Sequence, residues 1–187
     1  MSRRLHLTVM PAATSPYLVL VRDLMHRPGE MRERTLDFDV PEQLGVGAAY
    51  VAEGTELALD LRLEGLHDGI LVTGELETTM SGECVRCLEP VSRPLEVEFQ
   101  ELFAYSPEDA VDYTVHDDHV DCEPVVRDAV VLALPFQPVC RDDCPGLDPE
   151  TGEKLSGHAE QKQREVTDPR WAALEGFRAG DTGPDTD

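Results

Sequence analysis

Five cysteines are the residues of this chain whose type and spacing could do chemistry. Cys84 and Cys87 form a C-x-x-C pair, Cys140 and Cys144 form a second pair, and Cys122 lies between the two pairs. Their number is odd, and the first residues of the chain do not have the pattern of a secretory signal. This combination favours free thiols or a bound metal over a framework of disulfides.

The first pair, Cys84-Val-Arg-Cys87, is typical of three kinds of site. A thioredoxin-like redox pair needs a helix N-terminus, where the helix dipole lowers the thiol pKa. Here the pair follows a predicted strand and leads through Pro90 and Pro94 into another strand, which argues against redox catalysis. Two interpretations remain equally open: a knuckle whose two thiolates grip one zinc ion from one side, or two buried thiols without a ligand.

The second pair, Cys140 and Cys144, directly follows a predicted helix in a polar loop. Two cysteine pairs could complete a tetrahedral four-cysteine zinc site, with two ligands from each pair. Their separation is longer than in compact zinc ribbons, so spacing alone does not establish the site. If metal is bound, we expect Cys84, Cys87, Cys140 and Cys144 to be the ligands.

Two other groups have a less chemical interpretation. Cys122 lies on the apolar face of the predicted helix, where a free cysteine behaves as a small hydrophobic residue. His116 and His119 flank two aspartates. A metal or catalytic role is conceivable for them, but the pattern more often marks solvated surface.

Alternating residues predict the sheet that must position these groups. Leu57, Leu59, Leu61 and Leu63 alternate with polar residues and alanine, which indicates a strand with one dry face. Asp68-Gly69 is a hairpin turn signal, and the return strand covers 70–80, with Gly74 indicating a bulge or a close backbone approach. A further strand is predicted over 94–100, and short strands over 17–23, 36–40 and 111–115.

A helix is predicted over 121–136, with 123–134 packed on the sheet. Asp121 would cap it, and Pro124 is tolerated in the first turn. Its apolar face would contain Cys122, Val126, Ala129, Val130 and Ala133, and Pro135 would end it. The sequence therefore predicts an α+β fold: an antiparallel β-meander or small open barrel with one packed helix and a partly disordered C-terminal tail.

The net charge of −22, from 16 basic and 38 acidic residues, restricts the partners. It excludes binding of nucleic acid mainly by phosphate neutralisation, because phosphates would repel most of the surface. Residues 1–34 are the exception, since they carry a net positive charge. Arg22, Arg27, Arg32 and Arg34 are candidates for contact with RNA or a protein partner, unless they only form a solvated turn around Pro28 and Gly29.

The chain contains no stretch of about 20 apolar residues, so we expect no membrane contact. Pro11 and Pro16 interrupt the apolar residues near the start, which argues against a signal peptide. We expect a cytoplasmic protein.

Residues 82–103, GECVRCLEPVSRPLEVEFQELF, and 127–147, RDAVVLALPFQPVCRDDCPGL, resemble the two signature blocks of the bacterial YceD family of large ribosomal RNA subunit accumulation proteins. The upstream VRDLMHRPGEMRE and the late DPRWAALEGF also resemble members of this family. The resemblance implies a role in accumulating large-subunit ribosomal RNA, and hence in ribosome assembly, without enzymatic activity.

The chain departs from the family pattern after Cys144. Many relatives have two further cysteines there, whereas this chain has Asp148 and Thr151 at the corresponding positions. Either metal binding has been lost, or Cys140 and Cys144 pair with Cys84 and Cys87 around one zinc ion. Zinc is thus the one cofactor that we consider.

We expect a non-enzymatic factor that binds immature large ribosomal subunits, through a basic ribosomal protein or rRNA, and that takes no small-molecule substrate. The alternative is a metal-binding or thiol-redox protein that works through its cysteines. We expect a flexible N-terminus over 1–16, a β-rich YceD-like domain over 17–147, and a polar tail over 148–187. A short helix is predicted in that tail over 168–177, with Asp168 as its cap.

Overall fold

The computed structural model describes residues 15–106, 108 and 112–156. The elements, in chain order, are β1 (Leu18–Leu20), β2 (Met31–Asp39), β3 (Ala49–Tyr50), β4 (Glu56–Gly65), β5 (Gly69–Glu83), β6 (Pro90–Ala104), β7 (Tyr113–Thr114), β8 (His119–Asp121) and α1 (Glu123–Ala133). The predicted helix over 168–177 and most of the predicted flexible N-terminus lie outside the described residues.

The larger sheet has the strand order β2-β4-β5-β6-β7, and β3 adds to the far end of β5. All of its neighbours are antiparallel except β7, which runs parallel to β6. Strands β1 and β8 form a separate antiparallel pair. The described residues therefore form the predicted α+β fold, with an open antiparallel sheet that does not close into a barrel and one packed helix.

The inner face of this sheet is built by the predicted leucine alternation. Leu57, Leu59, Leu61 and Leu63 are each at most 2% exposed. The turn at Asp68 joins β4 to β5, as predicted, and β5 then pairs with β6 over 15 residues on each strand. This long hairpin carries Cys84 and Cys87 at its tip, between Glu83 and Pro90.

Gly74 marks a close approach and not a bulge, because the ladders on both sides of β5 run through it without interruption. The ring of Phe99, the cross-strand partner of Gly74, lies where a Cβ atom would stand, at 2.3–2.9 Å. The missing side chain thus makes room for an aromatic ring on the inner face.

Helix α1 lies against β6 and begins and ends slightly inside the predicted range. Its N-cap is Cys122 and not the predicted Asp121, although the Asp121 carboxylate accepts a hydrogen bond from the Glu123 N–H at 3.0 Å. Leu134 is already extended, because a residue before proline disfavours the helical region. Val125, Val126 and Val130 are buried, whereas the predicted face residue Ala133 is exposed.

Two strand predictions need correction. The strand predicted over 36–40 begins five residues earlier, at Met31, and ends at Asp39. The strand predicted over 111–115 is the two-residue β7, parallel to β6. Strand β3 was not predicted, since two residues carry no alternation. In the described part of the chain, no helix is long and apolar enough to cross a bilayer.

Gly82 gives the first testable prediction, because a Cβ atom there would lie 2.2 Å from the carbonyl oxygen of Ala48. That oxygen also accepts the Glu83 N–H at 3.0 Å, next to the cysteine hairpin. We expect Gly82→Ala to lower the free energy of unfolding by about 1–3 kcal/mol through this overpacking, measured by urea denaturation. The neighbouring Ser81→Ala is the control and should change it by less than about 0.5 kcal/mol. Equal stabilities for the two variants would contradict the packing described.

Candidate metal centre

Four of the five cysteines converge at one place. The sulfur atoms of Cys84, Cys87, Cys140 and Cys144 all lie within 4.8 Å of one another. The Cys84 and Cys144 sulfurs are 3.8 Å apart, and those of Cys87 and Cys140 are 3.6 Å apart. Four sulfurs bound tetrahedrally to zinc at about 2.3 Å are separated by about 3.8 Å. The donor set and its dimensions therefore fit a zinc ion.

The tip of the β5–β6 hairpin turns tightly enough to point two sulfurs at one centre. The Cys84 N–H donates to the Glu89 carbonyl and the Leu88 N–H donates to the Cys84 carbonyl, both at 2.8 Å. Leu88 has a φ of 58°, in the left-handed region that non-glycine residues rarely adopt. This local geometry is compatible with a zinc knuckle.

The second pair is held against the knuckle by backbone contacts that do not depend on a metal. Two arginines from the hairpin, Arg86 and Arg93, reach across and donate to backbone carbonyls of the segment 139–144. Arg86 donates to Asp142 at 2.8 Å and to Cys144 at 3.2 Å, and Arg93 donates to Val139 at 2.7 Å and to Cys140 at 3.2 Å. The Val85 N–H also donates to the Pro138 carbonyl at 2.9 Å.

The thiols in this cluster do not share one acidity. Burial opposes ionisation of Cys84, but backbone N–H groups of Cys140, Arg86 and Cys87 outweigh it and lower the pKa of the Cys84 thiol to about 6. For Cys87, the Glu89 N–H acts toward a lower pKa. Burial and the neighbouring thiols together raise the pKa of Cys87 to about 12. The neighbouring Cys144 thiol and burial also raise the pKa of Cys140.

Without a metal, the cluster therefore favours ionisation of Cys84 and disfavours ionisation of Cys87 and Cys140. A divalent cation would allow all four thiols to ionise, because its charge stabilises the thiolates and takes the place of their protons. The protein supplies four ligands to such an ion and leaves no open position, which is the arrangement of structural and not of catalytic zinc.

A carboxylate and a lysine border the cluster. One oxygen of Glu89 lies 3.9 Å from the Cys87 sulfur, and the other forms an ion pair with Lys154. The hydrogen bond and charge of Lys154 lower the pKa of Glu89, so the carboxylate stays ionised and bound to the lysine. This ion pair attaches the chain after residue 147 to the knuckle.

Asp148, which stands where many relatives have a cysteine, is not one of the four converging residues. Its carboxylate accepts the backbone N–H groups of Thr151 and Glu150 at 2.9 and 2.8 Å, which lowers its pKa. Asp148 therefore closes a turn, and it is the second pair whose sulfurs converge with those of Cys84 and Cys87.

The other two groups considered from the sequence lie away from the cluster. Cys122 is fully buried in the core, and this burial raises the pKa of its thiol to about 12. His116 and His119 face each other across a tight turn and exchange backbone hydrogen bonds at 3.0 and 2.8 Å. Neither histidine belongs to a cluster of metal-binding groups among the described residues.

The four arginines considered for partner contact are divided by their surroundings. Arg22 forms an ion pair with Asp118, and Arg32 forms one with Asp23, each at 2.6 Å. Arg32 also donates to the Leu20 carbonyl and is the most enclosed of the four. Arg27 and Arg34 are exposed. Within this group, the charges of two arginines are thus already balanced by aspartates.

Sequence reasoning missed Arg86 and Arg93, which position the second cysteine pair. Arg86 lies inside the C-x-x-C motif itself, and that is the only signal the sequence offered. A long side chain at this place can reach over the turn, but its acceptors become evident only when segment 139–144 lies beside it.

The first prediction for this site concerns metal content. Purified protein should contain one zinc ion per chain by elemental analysis, and the double variant Cys84→Ser with Cys87→Ser should contain none. Cys122→Ala is the matched control and should retain the zinc, because Cys122 is buried away from the cluster. Zinc retained by the double variant, or lost from the control, would contradict this assignment.

The second prediction concerns the metal-free protein. Its first thiol should lose a proton near pH 6, because the three backbone N–H groups stabilise the Cys84 thiolate. Ultraviolet absorbance of thiolate against pH measures this step. Cys84→Ser should abolish this step, and Cys122→Ala should leave it unchanged. A first ionisation near the pKa of an ordinary thiol would refute the stabilisation of the Cys84 thiolate by these N–H groups.

Similar proteins occur in mycobacteria and in Bacillus subtilis. The chain is 40% identical over 182 residues to an uncharacterized protein of Mycobacterium tuberculosis, an alignment that covers 93% of this chain and 87% of the relative. It is 35% identical over 194 residues to one of Mycobacterium leprae, covering 97% and 86%. It is 29% identical over 161 residues to the uncharacterized protein YlbN of Bacillus subtilis, covering 78% and 90%.

No solved structure matches the chain. Residues 72–178, which include both cysteine pairs, match the family described as large ribosomal RNA subunit accumulation protein YceD. The two sequence blocks that carry this resemblance are the knuckle with β6 and the helix with the second pair, and they meet at the cysteine cluster. The chain therefore belongs to the YceD family.

Proposed function

We propose that this protein is a non-enzymatic factor that binds immature large ribosomal subunits in the cytoplasm and supports accumulation of their rRNA. Membership of the YceD family carries this proposal, since the family is named for that role. Residues 17–147 would be the binding domain, and a structural zinc ion would fasten its hairpin to the segment after α1.

The closed cysteine cluster supports a structural and not a catalytic role. All four sulfurs would bind one ion. Arg86 and Arg93 already join the hairpin to the segment 139–144, which carries the second cysteine pair. Because no ligand position is left for a substrate, a bound zinc would contribute folding free energy rather than chemistry.

The outer face of the sheet supports a basic protein partner. Glu75 lies opposite Glu98, and Glu77 lies opposite Glu96, on adjacent strands. Asp60 extends the first of these rows on β4. Like charges directly opposite each other destabilise a sheet, so folding alone does not favour this arrangement. A basic ribosomal protein would relieve the repulsion, whereas bare RNA would add to it.

Direct RNA contact, if made, would use the exposed Arg27 and Arg34. Arg22 and Arg32 are less available because each is paired with an aspartate. Loss of a phosphate contact reduces the salt dependence of binding by roughly one unit for each contact. Replacing Arg27 and Arg34 and measuring the salt dependence of binding therefore separates contact with rRNA from contact with a ribosomal protein in the same particle.

A thiol-redox protein is the second candidate, and the low pKa of Cys84 favours it. Its thiol is fully buried, however, so a substrate disulfide would have to displace the surrounding backbone to reach it. The zinc-loaded protein should show no thiol–disulfide turnover with a small disulfide substrate. Turnover that Cys84→Ser abolishes would favour this candidate over the assembly factor.

The acidic face gives a prediction that separates binding from folding. Replacing Glu96 and Glu98 by lysine should raise the free energy of unfolding of the isolated protein by about 0.2–1 kcal/mol per relieved pair. The same variant should bind large-subunit particles less well in sedimentation. The control is Glu53→Lys, an exposed change outside the sheet strands. Undiminished binding of the double variant would remove the acidic face from the proposal.

The function itself is tested by deletion of the gene, followed by sucrose-gradient sedimentation and quantification of rRNA. We expect less large-subunit rRNA, and a tagged wild-type protein should sediment with immature large subunits. Purified rRNA alone should not bind it. Normal rRNA levels, with the tagged protein absent from every ribosomal fraction, would contradict the proposed function.

A further inference from the structure

Helix α1 and strand β6 leave an open apolar groove between them. Its apolar lining comes from two half-buried residues of β6 and from three residues on the outer side of α1: Val97, Phe99, Ala129, Leu132 and Ala133. Leu132 is 86% exposed, and Phe136, just beyond the helix, is 92% exposed. Leu132 and Phe136 therefore face solvent in the described part of the chain.

The groove is not required by the packing of α1 on the sheet. Val125, Val126 and Val130 already bury the core side of the helix. A surface helix normally presents polar residues on its other side, but α1 presents Val131 and Leu132 there. Large exposed apolar side chains beside a groove with polar residues at its border are a feature of interaction sites.

The adjoining strand is open as well. Strand β6 pairs with β5 over its full length, but with β7 only at Phe103 and Ala104. The rest of β6 is therefore an edge in the described part of the chain, beside the groove. An element that fills the groove would also cover this edge. Exposed sheet edges are otherwise protected from pairing by charged side chains.

The sequence beyond Ser156 contains a segment suited to the groove. Trp171, Leu174 and Phe177 are spaced as one face of a helix, Asp168 is a cap residue, and Pro169 is favoured at the first helical position. The match to the YceD family continues to residue 178, so this segment belongs to the matched region although it lies outside the described residues.

The length of chain allows this segment to reach the groove. Residues up to 155 are held at the knuckle, where Lys154 pairs with Glu89 and the Leu155 N–H donates to the Gly146 carbonyl at 3.1 Å. Phe99, which lines the groove, lies ten residues after Glu89, and most of these residues belong to β6. The distance from the knuckle to the groove is therefore at most roughly 33 Å. The linker from Ser156 to Asp168 can extend to about 40 Å.

Charge also favours this occupant. The border of the groove is acidic, with Glu98, Glu101 and Asp128. The segment brings Arg170, and Arg178 directly follows it, so that a basic residue lies on either side of its apolar residues. The stretch 157–178 has as many basic as acidic residues, in a chain whose net charge is −22, so it is repelled by this border less than the rest of the chain would be.

We propose that residues 168–177 bind as an amphipathic helix in the groove between α1 and β6, with Trp171, Leu174 and Phe177 against Leu132 and its neighbours. This intramolecular contact goes beyond the proposed ribosomal function and does not depend on it. The segment covers the apolar face that the described residues leave open.

Trp171 is the only tryptophan of the chain, so its fluorescence reports on the contact directly. In the full-length protein, its emission should be blue-shifted relative to a synthetic peptide of residues 166–179. Acrylamide should quench it several-fold less than it quenches the peptide. Leu132→Asp should shift the emission to the red and raise the quenching toward the peptide value.

Val46→Asp is the matched control, since Val46 is 91% exposed and does not line the groove. It should leave the emission unchanged, and far-ultraviolet circular dichroism should show both variants folded. A second variant, Arg170→Glu, should also increase quenching, and more strongly at low salt.

Three results would overturn the proposal. Emission of the full-length protein that matches the free peptide would mean that the segment is not bound. Unchanged quenching in Leu132→Asp would place the tryptophan elsewhere. Burial that appears only as protein concentration rises, together with a dimer in sedimentation equilibrium, would assign the groove to a second copy of the chain.

Discussion

Four cysteine sulfur atoms within 4.8 Å of one another, three of them from buried residues, are the constraint on which the structure around the hairpin depends. Thiolates so close repel one another, and the cluster accordingly favours ionisation of Cys84 and disfavours that of Cys87. A single divalent ion would resolve the conflict by binding all four. The long β5–β6 hairpin carries one cysteine pair, and α1 delivers the other to the same point.

The two faces of the sheet serve different ends. The inner face holds the leucines of β4 and the core side of α1, and these explain why the fold forms. The outer face places Glu75 against Glu98 and Glu77 against Glu96, which opposes folding. Such a conflict between local interactions and the fold is expected where a surface is kept for binding. The basic partner that we propose would account for it.

The sequence predicted those features that repeat or that use strong turn residues. The alternation from Leu57 to Leu63 and the Asp68-Gly69 turn specified the central hairpin. The start of β2 was missed because Arg32 occupies an inner position on an edge strand and breaks the alternation. Strand β7 was assigned the wrong direction because two residues contain no information about their partner.

The cysteine site was predicted only in part for a related reason. Spacing identified the residues, but their convergence depends on Arg86 and Arg93, whose acceptors are carbonyl groups far along the chain. X-ray absorption at the zinc edge of the purified full-length protein tests this account most directly. We predict four sulfur neighbours at about 2.3 Å from one zinc ion. A shell that contains fewer than four sulfurs, or protein purified gently without zinc, would contradict it.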